Sequence, residues 1–272
     1  MISPYNGISR LGKNTADTWQ SAYAMIGLFY DTVVATFYLG KKRFTPLLNQ
    51  IIGQLLFTGV EAFALMALIG LISGITIVMQ AMANMPKIGI GEYFGNILIM
   101  AVVRELGPLF TALIIIGRSG TALAAYIGNM KVTREITALE VMAIDPVNFL
   151  VLPAFWGIVI SMICLNVYYD IVALVGGIFI AHMTSAATAI PISIFMGKVL
   201  NALTWFDIVI SLFKSVLFGS VVAIVSCYHG MQVKTVRDVP QACIRSVVVS
   251  MGAMIVADIL ITLILVMLKV YA

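Results

Sequence analysis

Five apolar runs, at about 47–82, 93–125, 147–182, 206–229 and 246–268, alternate with short polar breaks along the chain. A helix rises ~1.5 Å per residue, so ~20 apolar residues cross the hydrocarbon layer. The first and third runs are far longer than that and must tilt or project beyond the bilayer. The breaks fall at Met85-Pro86-Lys87-Ile88-Gly89, at the polar stretch 128–145, at 185–204 with Pro191 and Lys198, and at 230–244 with Pro240. Ahead of the runs, residues 1–20 are polar and are expected to be poorly ordered. Residues 21–40 are mildly apolar, interrupted by Asp31 and followed by Lys41-Lys42-Arg43. An apolar stretch beside a basic cluster predicts a helix lying in the membrane interface. The pattern predicts an all-α integral membrane protein: a tail and interfacial amphipathic helix over 1–44, then a membrane domain of five helices over 45–272.

Composition agrees and narrows the class. Hydrophobic residues make up 61% of the 272 positions and charged residues 10%, against about 25% charged in soluble domains. Mean hydropathy is +1.07. Lys and Arg are asymmetric. Arg10, Lys13, Lys41, Lys42, Arg43, Arg118, Lys131, Arg134, Lys234, Arg237 and Arg245 fall on one side, and Lys87, Lys198 and Lys269 on the other. Eleven against three places the first side in the cytoplasm, with the N-terminus inside and the C-terminus outside. The net charge of +4 is loop charge of this kind and does not point to nucleic acid. Met1 to Ser21 has no apolar core of a signal peptide, which favours a bacterial inner-membrane protein. Cys164, Cys227 and Cys243 are isolated thiols without metal-ligand or disulfide spacing. His182 and His229 sit at span ends with no cluster for a metal.

Some charges lie inside the runs: Glu61, Arg104-Glu105, Asp170, Lys214 and Asp258. Each costs at least ~2.5–3.5 kcal/mol to insert and so faces protein or water rather than lipid. Neighbours on a helix point about 100° apart, so Arg104 and Glu105 are expected to reach different spans. Lys214 is the expected partner of Glu105, and Glu61 or Asp258 that of Arg104. Asp170 and Asp258 read as helix-pairing groups. Gly107-Pro108 predicts a kink beside the charged pair, and Gly176-Gly177 a close helix contact.

Between the second and third runs, Lys131 to Ala143 reads as a short amphipathic helix. Val132, Ile136, Leu139 and Met142 share one face, and Lys131 and Glu135 have i,i+4 spacing. Asp145 is positioned to cap the next span, with Pro146 at its first position. Such a helix either rests on the membrane surface or docks into a soluble partner.

Residues 104–153 read RELGPLFTALIIIGRSGTALAAYIGNMKVTREITALEVMAIDPVNFLVLP. This stretch resembles the signature of the MlaE/YrbE permease family, the membrane subunit of MCE-type lipid-transport ABC systems. Gly74, Gln80, Lys214-Ser215-Val216 and Asp258 extend the resemblance over roughly 45–270. It implies two permease copies as the membrane core, a cytoplasmic ABC ATPase at each coupling helix, and a periplasmic MCE-domain protein. The cargo would be phospholipid or a related lipid. Lys131, Arg134, Glu135, Leu139, Glu140 and Asp145 would then couple to the ATPase. Arg104, Glu105, Lys214, Glu61 and Asp258 would line or gate a lipid cavity, unless they only hold helices together. Arg offers phosphate a planar fork and Lys a point charge. The chain lacks a G-x-x-x-x-G-K-S/T loop, so no cofactor is expected on it, and ATP and Mg²⁺ belong to the partner. It departs from the family pattern at Tyr126, Arg134, Thr137 and Ala154, in or beside the ATPase-facing stretch.

Two other classes compete. An ion-coupled secondary transporter would use Glu105, Asp170 and Asp258 as a proton relay, although no internal repeat supports it. A membrane enzyme finds no nucleophile–base pair, and its two histidines fall at opposite faces.

Overall fold

The computed structural model describes residues 5–38, 44–88, 98–188, 197 and 201–271, all helical or in short turns without strands. Helix α1 is Tyr5–Tyr38. The first span combines α2 (Phe44–Gly59), a 3₁₀ turn at Val60–Ala62 and α3 (Phe63–Ile88). The second is a wide π segment at Met100–Leu106, α4 (Gly107–Ile115), a π turn at Ile116–Gly120 and α5 (Thr121–Val132). A short helix α6 (Glu135–Val141) follows. The third span opens with a π turn at Val147–Val151 and continues as α7 (Leu152–Thr188). The fourth is α8 (Trp205–Met231). The fifth opens with a 3₁₀ turn at Val236–Asp238 and continues as α9 (Val239–Tyr271). Among the described residues, five helices are long and apolar enough to cross a membrane: Leu48–Met82, Met100–Val132, Val147–Met183, Trp205–Met231 and Val236–Leu268.

One expectation needs correction: residues 5–20 are the first half of α1 rather than a poorly ordered tail. The first span ends as expected, its membrane-crossing stretch running to Met82 and α3 to Ile88, within the break at 85–89. Lys41, Lys42, Arg43, Pro191 and Lys198 lie outside the described residues.

The third span is the hub. Two thirds (67%) of its most apolar stretch is buried, against 6% for the fifth. It meets the first span along a glycine seam. A Cβ on Gly74 would overlap the backbone of Ala173, one on Gly177 would lie 2.6 Å from Val78, and one on Gly176 would lie 3.1 Å from the Leu71 carbonyl oxygen. The expected close contact at Gly176-Gly177 is therefore present, with Gly74 opposite it. Without side chains between them the backbones approach closely, as membrane helices favour. Ser73 and the fully buried Tyr169 close one end of the seam with a 2.7 Å hydroxyl–hydroxyl bond.

Candidate functional site

The charged residues of the spans meet in separate groups, and the wide turns of the second span set their positions. Pro108 has no N–H for the Arg104 carbonyl, and its ring would press on that carbonyl. The backbone ahead of it is a π segment, with the Gly107 N–H bonded to the Val102 carbonyl. The disturbance expected at Gly107-Pro108 thus takes the form of a widened turn that carries Arg104 and Glu105.

Lys214, in mid-α8, is fully buried and forms the centre of one group. Its Nζ lies 2.7 Å from Glu105 Oε2, 2.7 Å from Asp258 Oδ1 and 3.1 Å from Thr262 Oγ1. Thr262 also donates to Glu105 Oε1 at 3.2 Å. An ammonium has three donors and no acceptor, so three partners from two helices satisfy it. One cation here faces two carboxylates and joins the second, fourth and fifth spans. The expected Glu105–Lys214 pair is present.

Arg104 does not pair with Glu61 or Asp258. Its Nε lies 2.5 Å from Asp207 Oδ1, and its guanidinium sits 5.8 Å from the centre of the Phe206 ring. Asp207 also caps α8, because the Thr204 N–H donates to its Oδ2 at 3.0 Å. Asp258 is held by Lys214, and Glu61 lies at another level. Glu61 pairs instead with Arg118, which also donates to the Phe57 carbonyl at 3.2 Å. Arg118 follows Arg104 by fourteen residues, roughly 20 Å along a helix, so each arginine takes the carboxylate at its own depth.

Asp170 belongs to a fourth group. A Cβ on Gly107 would collide with its Oδ1 and lie 2.9 Å from Asn166 Oδ1. Asn166 donates to Ser211 Oγ at 2.7 Å. This polar contact holds the third span against the second and fourth, as a helix-pairing group should.

The stretch from Lys131 to Ala143 is not one helix. Lys131 is in the last turn of α5, and Arg134 adopts a left-handed backbone (φ 64°) that separates it from α6. That break removes the expected Lys131–Glu135 pairing, and Glu135 instead accepts from Thr133 Oγ1 at 2.8 Å. Of the expected apolar face, Ile136 is buried and Val132 and Leu139 are half-buried. Met142 is 60% exposed and its neighbour Val141 82%, so α6 ends in an uncovered apolar knob beside the exposed Glu140. Asp145 caps the third span as expected, accepting from the Val147 N–H at 3.0 Å and from Asn148 Nδ2 at 2.8 Å.

Sequence pattern alone does not disclose Asp207, Thr262 or the Arg118–Glu61 pair. Asp207 has a legible signal, because Thr204-x-x-Asp207 before an apolar run is a capping-box pattern. Thr262 has none.

Residues 51–264 match the family described as permease MlaE. A probable ABC transporter permease of Rickettsia prowazekii is 31% identical over 218 residues, covering 79% of this chain and 82% of the relative. The intermembrane phospholipid transport system permease protein MlaE of Haemophilus influenzae is 28% identical over 245 residues, covering 89% and 91%. A probable ABC transporter permease of Synechocystis is 29% identical over 240 residues, covering 86% and 90%.

Proposed function

The chain belongs to the MlaE permease family, and from that premise we propose that it moves phospholipid between a bacterial inner membrane and the outer envelope. It would do so as the membrane subunit of an ATP-driven transporter, with a cytoplasmic ABC ATPase supplying the work. A second permease copy and a periplasmic MCE-domain protein would complete the path. The Lys and Arg asymmetry supports a cytoplasmic N-terminus and α6 and a periplasmic C-terminus. ATP and Mg²⁺ would be bound by the partner.

The observation that carries this reading is the apolar knob at Val141 and Met142. It lies just beyond the helix that leads back to Glu105. From Glu105 to Val132 the second span has π turns but no interruption, a lever of about 40 Å at the usual rise. A partner that grips Val141, Met142, Leu139 and Glu140 would push along this lever, with Lys131, Arg134, Glu135 and the Asp145 cap setting its angle. The push would reach the centre where Glu105, Lys214 and Asp258 meet, with Arg104 beside it and Glu61–Arg118 nearer the motor. Lys214 and Arg104 supply a point charge and a planar fork, the donors that suit a lipid phosphate. We assign these residues to headgroup handling on that ground.

The test is co-purification with an ABC ATPase subunit from the same genome and ATP-dependent lipid transfer in vesicles. The double substitution Val141→Asp/Met142→Asp should abolish ATPase association and ATP-dependent phospholipid transfer while leaving the permease folded. Unimpaired association, or lipid transfer driven by a proton gradient without the ATPase, would sink the reading.

A further inference from the structure

An open cavity of about 650 Å³ lies at the α6 end of the bundle, between the ends of α5 and α8 and the start of the fifth span. Lys131, Lys234 and Arg245 converge on it from α5, the connecting loop and α9, with the amides of Gln232 and Gln241 between them. The four ion pairs of the described residues all lie elsewhere, so none of the described carboxylates stands within ion-pair distance of these three cations. The one acidic side chain on the wall, Asp238, is committed to a capping box. Its Oδ2 accepts from the Thr235 N–H at 3.0 Å and from Thr235 Oγ1 at 2.8 Å.

The cavity is built rather than draped. Val233, Val239 and Ala242 form a small apolar cluster with Ala125, Val132 and Cys243 beneath it. A Cβ on Gly128 would lie 3.1 Å from the Val233 side chain, so the glycine lets the loop seat closely on α5. Backbone bonds from Val233 to the Gly230 carbonyl (3.3 Å) and from Asp238 to the Thr235 carbonyl (2.9 Å) fix the loop at both ends. His229 is held on the wall by a 2.9 Å bond between Nδ1 and the Val225 carbonyl.

We propose that this cavity is a phosphate-binding pocket, separate from the Lys214 centre, that takes a phosphate ester at the cytoplasmic face. Three cations against one committed carboxylate leave a net positive wall. Arg245 offers a bidentate fork and the lysines offer point charges, the donor set that phosphate recruits. A single phosphate would not fill the volume, and small-molecule pockets run to about 300–1,000 Å³, so a headgroup-sized ester fits. Valine and alanine beneath the charges suit the glycerol and first methylenes of a lipid. The cytoplasmic placement rests on the orientation proposed above, but the binding chemistry does not.

The experiment uses the full chain without ATPase, so its outcome is independent of the transport reading. The protein is placed in nanodiscs of phosphatidylcholine alone or with one quarter phosphatidylglycerol, and lipids retained on release are counted by native mass spectrometry. Inorganic phosphate is titrated separately by calorimetry. Wild type should retain phosphatidylglycerol or bind inorganic phosphate. The first result identifies a lipid source and the second a soluble one. The triple substitution Lys131→Gln/Lys234→Gln/Arg245→Gln should weaken that binding about tenfold or more. Asp238→Asn, which keeps an acceptor for Thr235 and removes the opposing charge, should tighten it and serves as the readout if the triple variant does not fold. Equal binding by wild type and a folded triple variant, no tightening with Asp238→Asn, or no anion bound by wild type would each overturn the proposal.

Discussion

Lys214 and Arg118 are both cations within membrane-crossing segments, both bonded to a glutamate, and their surroundings are opposite. Lys214 is fully buried and shared among Glu105, Asp258 and Thr262 across three spans. Arg118 and Glu61 join two spans, and Glu61 is more than half exposed. A buried cation fixes geometry, because removing it strands the charges it neutralised. The Arg118–Glu61 pair joins only two spans, and Arg118 keeps a second acceptor in the Phe57 carbonyl. The same chemistry therefore acts as a keystone at one site of the second span and as a simpler two-helix contact at the other.

The sharpest way to break this comparison is Lys214→Met. It leaves Glu105 and Asp258 facing each other without a cation, and loss of one partner from a buried ionic group costs about 3–5 kcal/mol. The variant should show a large loss of folded protein in membranes and a much lower melting temperature in detergent. A wild-type melt would mean that the cluster is not a keystone. Asp258→Asn is gentler, because Lys214 keeps Glu105 and an amide oxygen can still accept. We expect a loss of about 1.5–3 kcal/mol, the worth of a hydrogen bond to a charged group, read from the same melt. Glu61→Gln should have the smallest effect, because the amide oxygen can still accept from Arg118, which also keeps its bond to the Phe57 carbonyl. If Glu61→Gln destabilised the protein as much as Lys214→Met, the distinction between the two sites would collapse.

How much of this was legible in the sequence depends on the range of the signal. The spans are long apolar runs and three of them could be placed to within a few residues, whereas the second continues to Val132 and the fifth begins at Val236, through stretches too polar to read as membrane. The Asp145 cap and the Gly176-Gly177 contact are local and followed from residue type alone. Glu105–Lys214 could be named because few opposite charges exist in the spans. The partner of Arg104 could not, because that needs the relative depth of the helices. Asp207 lies at the very start of α8, where it reads as a helix-capping residue rather than a membrane charge. The π turns were also hidden: one extra residue per turn leaves the apolar pattern nearly unchanged in a segment that is apolar almost all round. The left-handed Arg134, which divides α5 from α6, lies in a stretch whose helical periodicity continues unbroken through it.

The glycine seam between the first and third spans has a mechanical consequence. Side chains packed between two helices act as bearings, because their rotamers change as one helix slides past the other. At Gly74 against Ala173 and at Gly176 against Leu71 the backbones meet directly, and at Gly177 only the short Val78 side chain fills the space. Sliding there would drive backbone atoms into one another, so the two spans behave as a single beam. Any stroke delivered through the lever of the second span must then be taken up by the fourth and fifth spans, with the paired first and third spans serving as the stator.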